Sequence, residues 1–93
     1  MKLTPSGKLI LRLLATEPDR TDWYGLLVAN TLNLSMGTVY PALARLETDG
    51  LIVRREETGR TSGRPRRVYY AIAPSRLDEV RSLVETLPAP PTF

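Results

Sequence analysis

At Asp49-Gly50 the chain changes its periodicity, and that switch constrains the fold more than any other feature. Upstream, apolar residues recur at helical spacing. Downstream lie two β-prone runs, Leu51-Ile52-Val53-Arg54-Arg55 and Val68-Tyr69-Tyr70-Ala71-Ile72. Between them, Thr58 to Arg67 holds Gly59, Gly63 and Pro65 among hydroxyl residues and arginines, the composition of a hairpin with a long tip. A 93-residue chain with this order fits one domain, mainly α with a small antiparallel element. No internal repeat and no linker divides it.

Three helices are expected before the switch. Thr4-Pro5-Ser6 opens the first, with Thr4 as cap and Pro5 at a position where its missing N–H costs nothing. Leu9, Ile10, Leu13 and Leu14 form its apolar face, and Glu17-Pro18-Asp19 ends it. The second is expected from about Asp22 to Leu32, with Asp22 as cap. Gly25 sits awkwardly inside it, since glycine costs about 1 kcal/mol against alanine unless a close approach requires it. After the tight Asn33-Leu34-Ser35 connection, Ser35 caps a third helix from Met36 to about Thr48. Val39, Leu43 and Leu46 face inward, and Gly50 suits the left-handed stop. Past the hairpin, Pro74-Ser75 ends the sheet and a last helix runs from Arg76 to about Leu87, before the Pro88-Ala89-Pro90-Pro91 tail.

Composition narrows the chemistry. The chain has neither Cys nor His, so disulfides, thiolate metal sites and the commonest general base are all excluded. Glu56-Glu57 would point to opposite faces of a strand, and Ser6-Gly7-Lys8 lacks the spacing of a phosphate-binding loop. Asp78-Glu79 opens a helix and serves its dipole. No enzyme and no cofactor is expected. No apolar run approaches the roughly 20 residues of a membrane span, and the N-terminus lacks the apolar core of a secretion signal, so a cytoplasmic, nucleoid-associated protein is expected.

The net charge is +3, yet Gly59 to Arg67 alone carries +4 from Arg60, Arg64, Arg66 and Arg67, leaving −1 for everything else. A local basic cluster on a nearly neutral body is the footprint of a nucleic-acid contact. Two helices joined by a short turn and followed by a hairpin form the order of a winged helix-turn-helix. In that geometry the second helix of the pair enters the major groove.

With Val39, Leu43 and Leu46 inward, the outer face carries Gly37, Tyr40, Pro41, Ala44, Arg45 and Thr48. Candidate DNA contacts are therefore Gly37, Tyr40, Pro41 and Arg45, with Ser35 and Thr38 at the helix start, where free N–H groups favour phosphate. Each has a plainer role: Ser35 as a cap, Pro41 as a shaper of the first turn, Tyr40 packed on the hairpin, Arg45 in an ion pair with Glu47 or Asp49. On the wing, Arg60 and Arg64 are placed to reach a minor groove. Of Arg66 and Arg67, one is expected to point to DNA and one to brace the hairpin.

The run Gly37-Thr38-Val39-Tyr40-Pro41-Ala42-Leu43, continuing through Arg45-Leu46-Glu47 to Asp49-Gly50-Leu51-Ile52, resembles the recognition-helix signature of the PadR family. Gly63-Arg64-Pro65-Arg66 with Tyr69-Tyr70 is similar to that family's wing and second strand, and Tyr24-Gly25 to its upstream element. The likeness covers roughly residues 3 to 73. It implies a bacterial repressor that dimerises through its C-terminal helix and binds a palindromic operator, in a family many of whose members respond to small aromatic or multidrug-like ligands. The short C-terminal part fits only a compact subfamily. Trp23, the only tryptophan, reads as core filler before it reads as a shelf for an aromatic effector.

The expected organisation is a winged helix-turn-helix over 1–73, a dimerisation helix over 74–87 and a Pro-rich tail over 88–93. Leu77, Val80, Leu83, Val84 and Leu87 make the last helix too apolar to hang free. It packs on the first helix, meets its twin, or both. A two-fold dimer would set two reading heads ~34 Å apart on a palindrome. Two other readings stay open: a winged-helix partition, replication or phage-encoded DNA-binding factor, and a protein-interaction module that has lost DNA binding.

Overall fold

The computed structural model describes residues 3–59 and 62–85. Its elements are α1 (Pro5–Thr16), β1 (Trp23–Tyr24), α2 (Gly25–Leu32), α3 (Met36–Thr48), β2 (Ile52–Glu56), β3 (Val68–Ile72), a 3₁₀ turn (Pro74–Arg76) and α4 (Leu77–Glu85). The wing is thus part of a three-stranded antiparallel sheet in the order β1-β3-β2. Two of the expected positions, Arg60 and Leu87, lie outside the described residues.

Local chemistry sets most of the element ends. The Thr4 hydroxyl accepts from the Gly7 N–H at 3.0 Å and Pro5 opens α1. α2 closes on Asn33, whose φ of 55° is left-handed, with Leu34 N–H donating back to Ala29 at 2.9 Å. Asparagine tolerates that region better than most residues, because its short amide bonds locally. Gly50, at φ +78°, makes the equivalent stop after α3.

The start of α2 differs from expectation. Trp23-Tyr24 pairs with Tyr70 and Tyr69 of β3 as a short strand, and the helix begins only at Gly25, with Tyr24 at the cap position and no side-chain cap bond. Asp22 does not cap; its carboxylate pairs with Arg20. The backbone bonds that a helix would have used at these residues are taken by β3.

The core is a single cluster. α1 contributes Ile10, Leu11 and Leu14, α2 Val28, α3 Val39, Leu43 and Leu46, and the sheet region Leu51, Ile52 and Ile72. Trp23 is 4% exposed and belongs to this cluster, with the Arg20 guanidinium 3.9 Å over its ring, so it is core and not an open shelf. Val80 on α4 is fully buried in the same cluster. That corrects its assignment to a subunit interface: α4 folds back on α1, and the inward turn of α4 spends Val80 on its own subunit. Leu77, Leu83 and Val84 are partly buried against the core. Among the described residues no helix is long and apolar enough to cross a membrane.

Candidate nucleic-acid interface

α3 is anchored from one side only. Val39, Leu43 and Leu46 are buried, while Ser35, Gly37, Thr38, Tyr40, Pro41, Ala44, Arg45 and Thr48 are exposed. The Ser35 hydroxyl accepts from the Thr38 N–H at 3.2 Å and lies 3.0 Å from the Thr38 hydroxyl, so both side chains are ordered at the helix start. Pro41 sits within α3 and has no N–H to return to the Gly37 carbonyl. Arg45, itself exposed, reaches the largely covered Asp49 carboxylate at 3.6 Å in an i,i+4 pair.

Tyr40 is half exposed and lies across the first turn of α2. A Cβ on Gly25 would stand 2.9 Å from Cε1 of its ring, which accounts for a glycine at the start of that helix. The two helices meet there through the tyrosine ring, and the ring is held beside the wing. Between α3 and the wing runs an open groove of about 480 Å³, lined by Tyr24, Gly25, Leu26, Tyr40, Arg54, Tyr70 and the wing residues 65–68. Burial raises the Tyr70 phenol above its ordinary pKa, so it remains a neutral donor on that wall.

The wing is held by contacts that the sequence does not display. Glu57 Oε2 accepts from Arg64 Nη2 at 2.8 Å and from the Tyr69 hydroxyl at 2.8 Å. Tyr69 meets Tyr24 edge-on at 6.2 Å between centroids, Arg67 lies 4.3 Å over Tyr24, and Arg55 lies 5.0 Å over Tyr69. Glu57 N–H also extends the β2–β3 ladder to the Arg67 carbonyl at 2.8 Å. Arg66 is exposed, and among the described residues it takes no carboxylate partner. Of the pair Arg66 and Arg67, Arg67 is the one engaged with the body of the domain.

The hydrogen bonds from Arg64 and then Tyr69 hold the Glu57 carboxyl down at about 2, against 4.5 for an unperturbed glutamate. A carboxyl lowered on folding stabilises the folded state above its unfolded pKa. That contribution is lost as pH falls from about 4.5 through about 2. Acidification through this window is expected to loosen the wing before the core. The Tyr69 ring resonances should titrate with an apparent pKa near 2; a midpoint near 4.5 would mean that the bonds do not form in solution.

The sequence-derived positions therefore fall into three groups. Ser35, Gly37, Thr38, Tyr40, Pro41 and Arg45 share one exposed face. Arg66 and Arg67 both border the groove beside it. Arg64 and Arg67 are engaged with Glu57 and Tyr24. Arg54, Leu26 and Glu57 had not been singled out. Arg54 was legible as the residue two beyond inward-facing Ile52 on an alternating strand, whereas the Glu57 pairing depends on how the loop returns.

Comparison with known proteins agrees with this architecture. Residues 23–75, more than half of the chain, match the model of the transcriptional regulator PadR-like family. A curated relative, "Transcriptional regulator Rv3488" of Mycobacterium tuberculosis, is 46% identical over 56 residues, covering 58% of this chain and 50% of its own length. The chain thus spans about half the length of that relative. A PadR family transcription regulator from Clostridium difficile superposes with a TM-score of 0.71 at 26% identity, over 88% of this chain and 85% of its own. The S. aureus MepR–DNA complex shares the fold, with a TM-score of 0.71 at 20% identity over 89% of this chain and 63% of that one. The family, the Mycobacterium tuberculosis relative and the Clostridium difficile protein are transcriptional regulators, not enzymes. With a winged helix-turn-helix built on its signature run and more than half its length matched, this chain belongs to the PadR-like family of transcriptional regulators.

Proposed function

We propose that this regulator is a sequence-specific DNA-binding repressor that reads a palindromic operator as a homodimer in the cytoplasm, on the nucleoid. One observation carries the reading: the exposed polar face of α3 and the arginine-bearing wing flank the same open groove. α3 enters the major groove with Tyr40 and Arg45 toward base edges and sugars, and Ser35 and Thr38 meet phosphate at the helix start. The wing, with Arg60 at its tip, follows the adjacent minor groove. That MepR was solved with DNA on the same fold supports this docking.

In this reading residues 1–73 form the reading head and 74–87 the dimerisation helix, through Leu77, Leu83, Val84 and Leu87 and without Val80. The partly covered apolar side chains of α4 suit a second copy. Selection of random duplex DNA with the purified protein, repeated at two salt concentrations, tests the whole proposal. A palindrome with half-sites about one helical turn apart is expected. Selection of no sequence, with binding absent at both salts, would leave a protein-interaction module. A small aromatic compound is the effector class to titrate against the selected complex.

Gly25→Ala separates the site from the fold. The far end of a half-exposed tyrosine ring moves cheaply, so the domain is expected to keep its Tm within about 4 °C. The displaced Tyr40 should weaken duplex binding about tenfold, the loss of one good contact. Unchanged affinity measured by fluorescence anisotropy would remove Tyr40 from the interface.

A further inference from the structure

We infer that the arginines of the hairpin divide their tasks: Arg66, joined by Arg54 of β2, grips DNA phosphate on the side of α3, while Arg64 on the other side and Arg67 at the rim of the groove lock the hairpin. The phosphate half of this inference rests on the DNA-binding reading above.

Strand alternation creates the two faces. Ile52 pairs with Ile72 and Arg54 with Tyr70, and the buried Ile52, Ile72 and Tyr70 turn this face toward the helices. Arg54 continues that face past the core and emerges on the groove, as does Arg66, two residues before Val68. The intervening residues point the other way. There Arg55 pairs with Tyr69 and Tyr24 with Tyr69, and there Glu57 receives Arg64; Arg67 covers Tyr24 where that face meets the rim of the groove, which both residues also border. Tyr24 is the residue that leads into α2. The line Arg64–Glu57–Tyr69–Tyr24–Arg67 therefore ties the wing to the helix-turn-helix and fixes its distance from α3.

Bond quality separates the two sets. Arg64 meets Glu57 at 2.8 Å, and that carboxylate is only 17% exposed and shared with Tyr69. Moving Arg64 to a phosphate would leave a sheltered carboxylate without its cation, which is costly. Arg54 instead reaches Glu47 at 4.0 Å and Glu56 at 3.5 Å, all three substantially exposed. Such contacts contribute little and exchange readily for a phosphate. Arg66 has no carboxylate to give up among the described residues.

The test combines binding of a random-sequence duplex over a salt series with amide hydrogen exchange of the free protein. Arg54→Gln and Arg66→Gln should each reduce the slope of log affinity against log salt by about 0.9, with wild-type exchange in the β2–β3 ladder. Glu57→Gln should speed exchange at the Glu57–Arg67 bond and weaken binding about fivefold, although it adds positive charge. Tighter binding with a steeper slope in Glu57→Gln would instead make Arg64 a phosphate contact held back by Glu57. Unchanged slopes in both groove variants would remove Arg54 and Arg66 from the interface while the DNA-binding reading stood. Absence of salt-dependent binding by the wild type would sink that reading itself. Unaltered exchange in Glu57→Gln and Arg64→Gln would overturn the lock whatever the DNA result.

Discussion

Val80→Asp is expected to abolish the cooperative thermal transition, leaving a chain largely unfolded at room temperature. Val80 is fully buried where α4 folds onto α1, in one cluster with Ile10, Leu11 and Leu14. Among the described residues that cluster contains no buried polar or charged residue to receive a carboxylate. An ionised carboxylate placed there, or the proton uptake that avoids it, costs several kcal/mol on top of the lost apolar contact. Domains of this size have roughly 5–15 kcal/mol in total, and the small ones lie near the lower end. Val84→Asp supplies the contrast, because Val84 is only partly buried. It should keep a folded chain and, if the proposed dimer forms through α4, lose it, read by circular dichroism and sedimentation. If Val80→Asp melted within a few degrees of wild type, α4 would not pack on its own subunit as described.

Leu43→Ala is the second large effect. Leu43 lies midway along α3 with no exposed surface, in the same cluster as α1, α2 and the sheet. Truncating a buried leucine costs about 2–5 kcal/mol, and the upper part of that range applies where rigid elements on several sides cannot collapse into the cavity. For a domain this small the Tm should fall by roughly 10–30 °C. The same change removes the central anchor that fixes the rotation of α3. Its exposed face should lose registry with the wing even at temperatures where the domain remains folded. A Tm shift below about 5 °C would mean that Leu43 is not the packing centre of that helix.

These two residues also show why α4 was harder to read than α3. The apolar spacing of both helices is plain in the sequence. In α3 a single stripe separates from a polar face, so inside and outside are decided together. In α4 the stripe is as clear, yet nothing in its spacing says whether α1 or a second copy covers a given residue. Val80 is assigned by contact, and contact is not local.

The chain by itself determined whatever depends on a few neighbouring residues. The hydroxyls of Thr4 and Ser35 cap α1 and α3 and the left-handed Gly50 ends α3, because each rests on torsions and hydrogen bonds within about four positions. The outward face of α3 is of the same kind. Tertiary structure decided the rest. Trp23-Tyr24 became a strand because β3 offered it partners, Gly25 lies under the Tyr40 ring, and Glu57 took Arg64 and Tyr69. Two residues are too few to display a period, and an arginine among arginines carries no mark of its partner. Such pairings are settled only when segments distant in the chain meet.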